Sequence, residues 1–159
     1  MGLVKVPTRL LGAGSEIQSV YSEATSSSVL LTLVTGTYPN LAGGNLVCYA
    51  VITPTSASSI LDIVATVNVQ INGSAVNTGY VFVLKDGVTP VINNCKLTDG
   101  DGAVIGTSTD QVTLRRRIVA GSTSPITFEI KAGTDNALCN FYVNKDGGVS
   151  TLLVTEYQA

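Results

Sequence analysis

The sequence predicts an all-β protein, an antiparallel β-sandwich or jelly roll with an extended N-terminal arm, and three observations carry the all-β prediction. Apolar and polar residues alternate with a period of two over Leu61–Ile71 and again over Ile126–Ala132, the spacing of a half-buried strand. Turn-forming pieces interrupt the chain at short intervals: Thr35–Asn40, Asn72-Gly73, Lys85-Asp86-Gly87, Thr98–Gly102, Gly121-Ser122 and Asp146-Gly147-Gly148. Between them no helical period persists long enough to build a helix.

The elements follow in order. Residues 1–14, with Lys5, Pro7, Arg9 and Gly12-Ala13-Gly14, read as an arm, and residues 15–159 as the sandwich. Strands are expected at 17–21, 28–34, 46–53, 61–71, 78–85, 111–120, 126–132, 137–144 and 150–157. Within 61–71 every odd position is apolar and every even one polar except Val64, so the odd face belongs to the core. Asn72-Gly73 is the strongest short hairpin signal, and that reading outweighs a glycosylation sequon at Asn72-Gly73-Ser74. No internal repeat is present, which weighs against a propeller or a β-helix. The 159 residues fit one domain, long enough to bury a core without disulfides or metals.

Composition narrows the function. Charged residues make up 13% of the chain, about half the usual share, while 45% are hydrophobic and Trp is absent. Ser, Thr, Asn and Gly must therefore cover the surface, and such a surface repels its neighbours weakly, as suits a protein that packs against others. A formal net charge of −2 argues against nucleic acid as a partner, because phosphate binding needs clustered Lys and Arg. The one basic run, Arg115-Arg116-Arg117, lies in an expected strand, so Arg115 and Arg117 face one side and Arg116 the other. Arg116 then shares a face with Val112, Leu114 and Ile118. Two readings follow: a bulge or sheet edge that lets it reach solvent, or a contact between subunits.

The three cysteines, Cys48, Cys95 and Cys139, cannot all pair within one chain, and no CxxC spacing occurs. Reduced thiols and assembly in the cytoplasm are expected, with Cys48 and Cys139 buried as small hydrophobes. Residues 1–7 lack the apolar core of a signal peptide, Val6 stands where myristoylation needs Ser or Thr, and no segment has the length of a membrane helix. No membrane role is expected.

Chemistry finds little to work with. His is absent, which removes the commonest general base and metal ligand. An acid pair for glycoside hydrolysis would have to come from Asp62, Asp86, Asp99, Asp101, Asp110, Glu129, Asp135, Asp146 and Glu156, most of them in Gly-rich turns where carboxylates serve as turn formers. Asp99-Gly100-Asp101-Gly102 resembles the start of a calcium loop but fails the pattern at Ala103 and Asp110. Cys48 and Cys139 have no His to activate them. The expectation is no enzyme, and no catalytic, cofactor-binding or metal-binding residue.

One resemblance is specific. Val51-Ile52-Thr53-Pro54-Thr55-Ser56-Ala57-Ser58-Ser59-Ile60-Leu61-Asp62-Ile63 is similar to the "ITP-T-S-S-S-K-I-L-I" segment of bacteriophage tail-fibre and other virion proteins. Val83-Leu84-Lys85-Asp86-Gly87 resembles that family's "L-x-R-D-G" hairpin. Ser124–Gly133, a strand ending in Asn144, and Ser150–Tyr157 resemble its closing section. The matches run in order over residues 28–157, with Ile60 in place of a frequent Lys and Tyr157 in place of a final Ile.

The resemblance implies a jelly roll that trimerises in the manner of tumour-necrosis-factor-like domains, at fibre tips, spikes or capsid surfaces. The function expected from it is a homotrimeric virion protein: a capsid-decoration or cement protein, a head fibre or a short tail-fibre component. Its partners would be its own copies and, through the arm, a major capsid or tail protein. The alternative is a glycan-binding receptor module, for which Tyr38, Tyr80 and Tyr142 are the available aromatic platforms.

Overall fold

The computed structural model describes residues 13–26, 28–30, 44–72, 77–99, 108–134 and 140–159. Its elements are β1 (Glu16–Ala24), β2 (Ser28–Leu30), β3 (Asn45–Ile52), β4 (Ile60–Asn72), β5 (Asn77–Lys85), β6 (Thr89–Asp99), β7 (Ser108–Val119), β8 (Ile126–Thr134), β9 (Asn140–Val143) and β10 (Ser150–Tyr157), with a 3-10 turn at Lys145–Gly147.

All ladders are antiparallel, and the main ones nest: β5 with β6, β4 with β7, β3 with β8, β1 with β10. A long ribbon folded at the β5–β6 turn and then rolled produces this nesting, which is the winding of a jelly roll. Rolling brings β10 beside β4 and β8 beside β5. One sheet thus reads β1-β10-β4-β7 and the other β3-β8-β5-β6. The 13-residue β4 is long enough to pair with β10 over its first half and with β9 over its end, and β2 extends the first sheet beyond β9.

The predicted alternation decides which side of β4 is core. Leu61, Ile63, Ala65, Val67 and Val69 are all buried against the second sheet's Ile52, Val81, Val83, Phe128 and Ile130. Burying a branched or aromatic side chain of this size contributes about 1.5–3 kcal/mol relative to leaving it exposed. The sandwich, its strand at 61–71 and its strand at 126–132 therefore stand as expected.

The ribbon's tip is also where the sequence put it. Asp86 and Gly87 have φ of 52° and 72°, the left-handed pair a tight hairpin turn needs, and the Val88 N–H donates to the Lys85 carbonyl at 3.3 Å. Asp86 then latches the tip to β8: its N–H donates to the Thr127 carbonyl at 2.8 Å, and its Oδ1 accepts from the Thr127 N–H at 3.0 Å.

Two local readings are corrected. Asn72-Gly73 does not begin a hairpin, because β4 and β5 lie in different sheets; it opens a sheet-to-sheet connection, and Gly73 itself lies outside the described residues. Strand β6 was not expected. It carries Pro90 and lacks clean alternation, features tolerated because it is the last strand of its sheet and pairs with β5 through two register shifts. Of the arm at 1–14, residues 1–12 lie outside the described residues. Where it joins the sandwich the Gly14 N–H donates to the Gln158 carbonyl and the Gln158 N–H to Ser15.

Candidate functional site

The face of the first sheet turned away from the core is built from the residues that alternate with the core set. Cross-strand registers place them in rows: Tyr21, Leu153, Val64 and Arg115; then Ser19, Thr155, Asp62 and Arg117; then Tyr157, Ile60 and Val119. Leu153, Val64, Ile60 and Tyr157 are half-buried, and Tyr21 and Val119 are exposed, at 60% and 57%. A partly apolar surface thus surrounds one buried charged group.

That group is Asp62. Arg115 donates from Nε to Oδ1 at 3.0 Å and from Nη2 to Oδ2 at 2.5 Å, and Arg117 donates from Nε to Oδ2 at 3.1 Å. The two guanidinium groups roof the carboxylate, leaving its side chain 4% exposed while they remain 59% and 62% exposed. The Arg115 hydrogen bond, opposed by burial and joined by the Arg117 hydrogen bond, holds the Asp62 carboxyl below the ordinary carboxylate range. Arg117 also lies 5.6 Å from the Tyr157 ring centroid. Two cations on one anion leave the cluster with a net positive charge.

Arg115 and Arg117 share this face and Arg116 does not, as alternation requires. The β4–β7 ladder is unbroken, so no bulge rescues Arg116; it sits opposite Ile63 on the core side and is exposed because β7 is a sheet edge. Of the two readings of Arg116, the edge is the one observed in the single chain.

Among the described residues the other carboxylates do not converge. Asp86 and Asp146 occupy turns with φ of 52° and 57°. Asp110 is exposed and accepts from the Gln111 N–H. Glu129 lies on the second sheet, 3.8 Å from Lys131. Asp99 ends β6, and Asp101 and Asp135 lie outside the described residues, as does the rest of the Asp99–Gly102 run.

Glu156, in the sequence only one candidate for an acid pair, is the most enclosed of the described acids. It is fully buried on the core side of β10, opposite Leu61 and Gln18. Its Oε1 accepts from the Thr55 N–H at 2.8 Å and the Thr55 hydroxyl at 2.7 Å, and its Oε2 from Gln18 Nε2 at 2.5 Å. Burial pushes this carboxyl up, but hydrogen bonds from Ser59, Gln18 and Thr55 outweigh it and leave the group below its ordinary range. The signal was legible: Glu156 shares a face with Leu152 and Val154. Asp62 and Glu156 point to opposite faces of the sheet, and both are held as anions, the reverse of what a general acid requires.

Among the expected aromatic platforms Tyr80 is corrected: it is 3% exposed, closed off on the second sheet. Tyr142 is half-buried with Lys145 Nζ 4.5 Å from its ring centroid, and Tyr38 lies outside the described residues. Among the described residues the open tyrosines are instead Tyr21 and Tyr49. Cys48 is free and buried, as expected, and burial pushes its thiol up to about 11. Cys95 falls in β6, and Cys139 lies outside the described residues.

No family model matches the chain, and no curated protein matches it. Several solved structures are similar to it. The C-terminal domain of EclA, a sugar-binding protein, is 12% identical with a TM-score of 0.41, over 94% of this chain and 89% of that one. Infectious bursal disease virus of the Gx strain gives 12% identity and a TM-score of 0.45 over 99% of this chain. The VP2 subviral particle of infectious bursal disease virus gives 14% and 0.32 over the whole chain. This chain spans only 37% and 42% of those two viral chains. Likenesses at this level carry no argument about function.

Proposed function

We propose that the chain is a structural component of a bacteriophage virion: a homotrimeric capsid-decoration or cement protein, a head fibre or a short tail-fibre component. The observation that carries the reading is the open face of the first sheet, where Tyr21, Leu153, Val64, Ile60, Tyr157 and Val119 form a partly apolar surface on a domain with few charges. Covering such a surface with another copy removes apolar area from water at about 25 cal/mol per Å². The residue resemblance over 28–157 supplies the virion context and the three-fold expectation. The reading assigns no catalytic step to the chain.

Residues 1–14 are assigned to attachment. Because Gly14 and Ser15 are clasped to Gln158, an arm preceding them starts from a fixed point on the sandwich and can reach a capsid or tail partner. Three such arms on a trimer multiply weak contacts into firm attachment. Deleting residues 2–14 is expected to abolish incorporation into virions while the domain stays folded and its mass by light scattering stays that of the full-length assembly. Normal incorporation of the deleted chain would refute the arm's role.

A glycan-binding module is the second reading, favoured by one observation. The exposed Tyr21 donates its hydroxyl to Glu23 at 3.0 Å, placing an aromatic ring and a carboxylate acceptor side by side, as sugar hydroxyls require.

A further inference from the structure

Self-assembly leaves open which surfaces meet, and the two edges of the first sheet differ in a way that answers it. Strand β1 carries Glu16 and Glu23 and no basic residue, a formal charge of −2; strand β7 carries three Arg and Asp110, a formal charge of +2. These two strands are the outer strands of the β1-β10-β4-β7 row. Among the described residues neither Glu16 nor Glu23 is in an ion pair: Glu16 accepts from the Ser19 hydroxyl and Glu23 from Tyr21. Among the described residues Arg116 is exposed and in no ion pair, and Arg117 spends only its Nε on Asp62.

The heights match as well. Following the registers across the sheet, Arg115, Arg116 and Arg117 stand level with Tyr21, Val20 and Ser19. Glu23 stands level with Thr113 and Glu16 with Val119, two residues beyond either end of the triplet. Two residues of strand are about 7 Å, within the combined reach of Arg and Glu side chains. Rotation about an axis along the strands preserves height, so the basic edge of one copy meets the acidic edge of the next at the right level. A contact between two different surfaces, repeated by a rotation that divides the full turn, closes into a ring.

Apolar exposure is biased to the same side. Of the seven large hydrophobic residues exposed among those described, four (Tyr21, Leu46, Tyr49 and Val51) lie on β1 and on β3, the neighbouring edge strand of the other sheet.

Resting on the reading of the chain as a self-assembling virion protein, we infer that its copies join head to tail, the acidic β1 edge of one, with the apolar side chains of β3, docking on the Arg115–Arg117 edge of the next. The test is the mass in solution, by light scattering across a concentration series, of four chains. These are the wild type, Arg116→Glu, the pair Glu16→Arg with Glu23→Arg, and the triple variant that combines them. The expected result is a closed oligomer for the wild type, self-association weakened at least about tenfold in the Arg116→Glu and paired Glu variants by like charges meeting, and recovery in the triple variant. Unchanged melting of each variant at high dilution separates lost assembly from lost folding. A wild-type oligomer that ignores both reversals overturns the edge pairing and leaves self-assembly standing. A wild type that is monomeric at every concentration overturns both.

Discussion

Glu156→Ala is expected to destabilise the fold by about 2–3 kcal/mol, lowering the thermal midpoint by about 4–12 °C for a domain of this size. The carboxylate lies in a fully buried position where β1, the loop between β3 and β4, and β10 converge, and it accepts from Gln18, Thr55 and Ser59. Removing it orphans the donor of Ser59, which is itself buried, and leaves Thr55 and Gln18 to find water at the rim. Glu156→Gln keeps the shape and one acceptor oxygen, so its cost is smaller, about 1 kcal/mol. Acid distinguishes the two forms of the site. Asp62 and Glu156 both have folded pKa values below their unfolded ones, so their contribution is present above about pH 4 and is lost as pH falls through the folded values. The deficit of Glu156→Gln relative to the wild type, measured by denaturant unfolding, should therefore be full at pH 7 and shrink as pH is lowered below about 4. A deficit that persists unchanged in acid would show that the charge at 156 contributes nothing.

Local pattern carried the fold further than it carried the site. A period of two is a property of one strand, so 61–71, 126–132 and the odd core face were readable without partners. The turn at Asp86-Gly87 was readable because two successive left-handed residues need that chemistry. What failed was whatever depends on the partner. Asn-Gly marks a sharp reversal, but only the sheet assignment of β4 and β5 decides between a hairpin and a crossing between sheets. Asp62 was visible as a polar residue on the outer side of its strand and Arg115 and Arg117 as a pair on one face. Their meeting depends on a register between strands some fifty residues apart. Arg116 shows the same limit: alternation aimed it at the core, and its exposure follows from β7 being an edge, which no run of residues within β7 announces.

A close approach between the two sheets offers the second large effect. Gly79 of β5 and Phe141 of β9 belong to opposite sheets, and a Cβ placed on Gly79 would collide with the Phe141 ring. Glycine is needed at 79 for close approach and not for an unusual backbone, since no positive φ is found there. Gly79→Ala should therefore cost about 1–3 kcal/mol by overpacking. Phe141, fully buried, should cost about 3–5 kcal/mol when truncated to Ala. Independent sites would add, but here the second substitution opens the space that the first one needs. The double variant should be more stable than the sum predicts by about 1–3 kcal/mol, and in the Phe141→Ala background the methyl at 79 should become nearly neutral. Chemical denaturation of the four chains measures this coupling directly. Additivity to within about 0.5 kcal/mol would mean that the ring does not rest on Gly79 in solution, and that the sheets are held apart by other layers of the core.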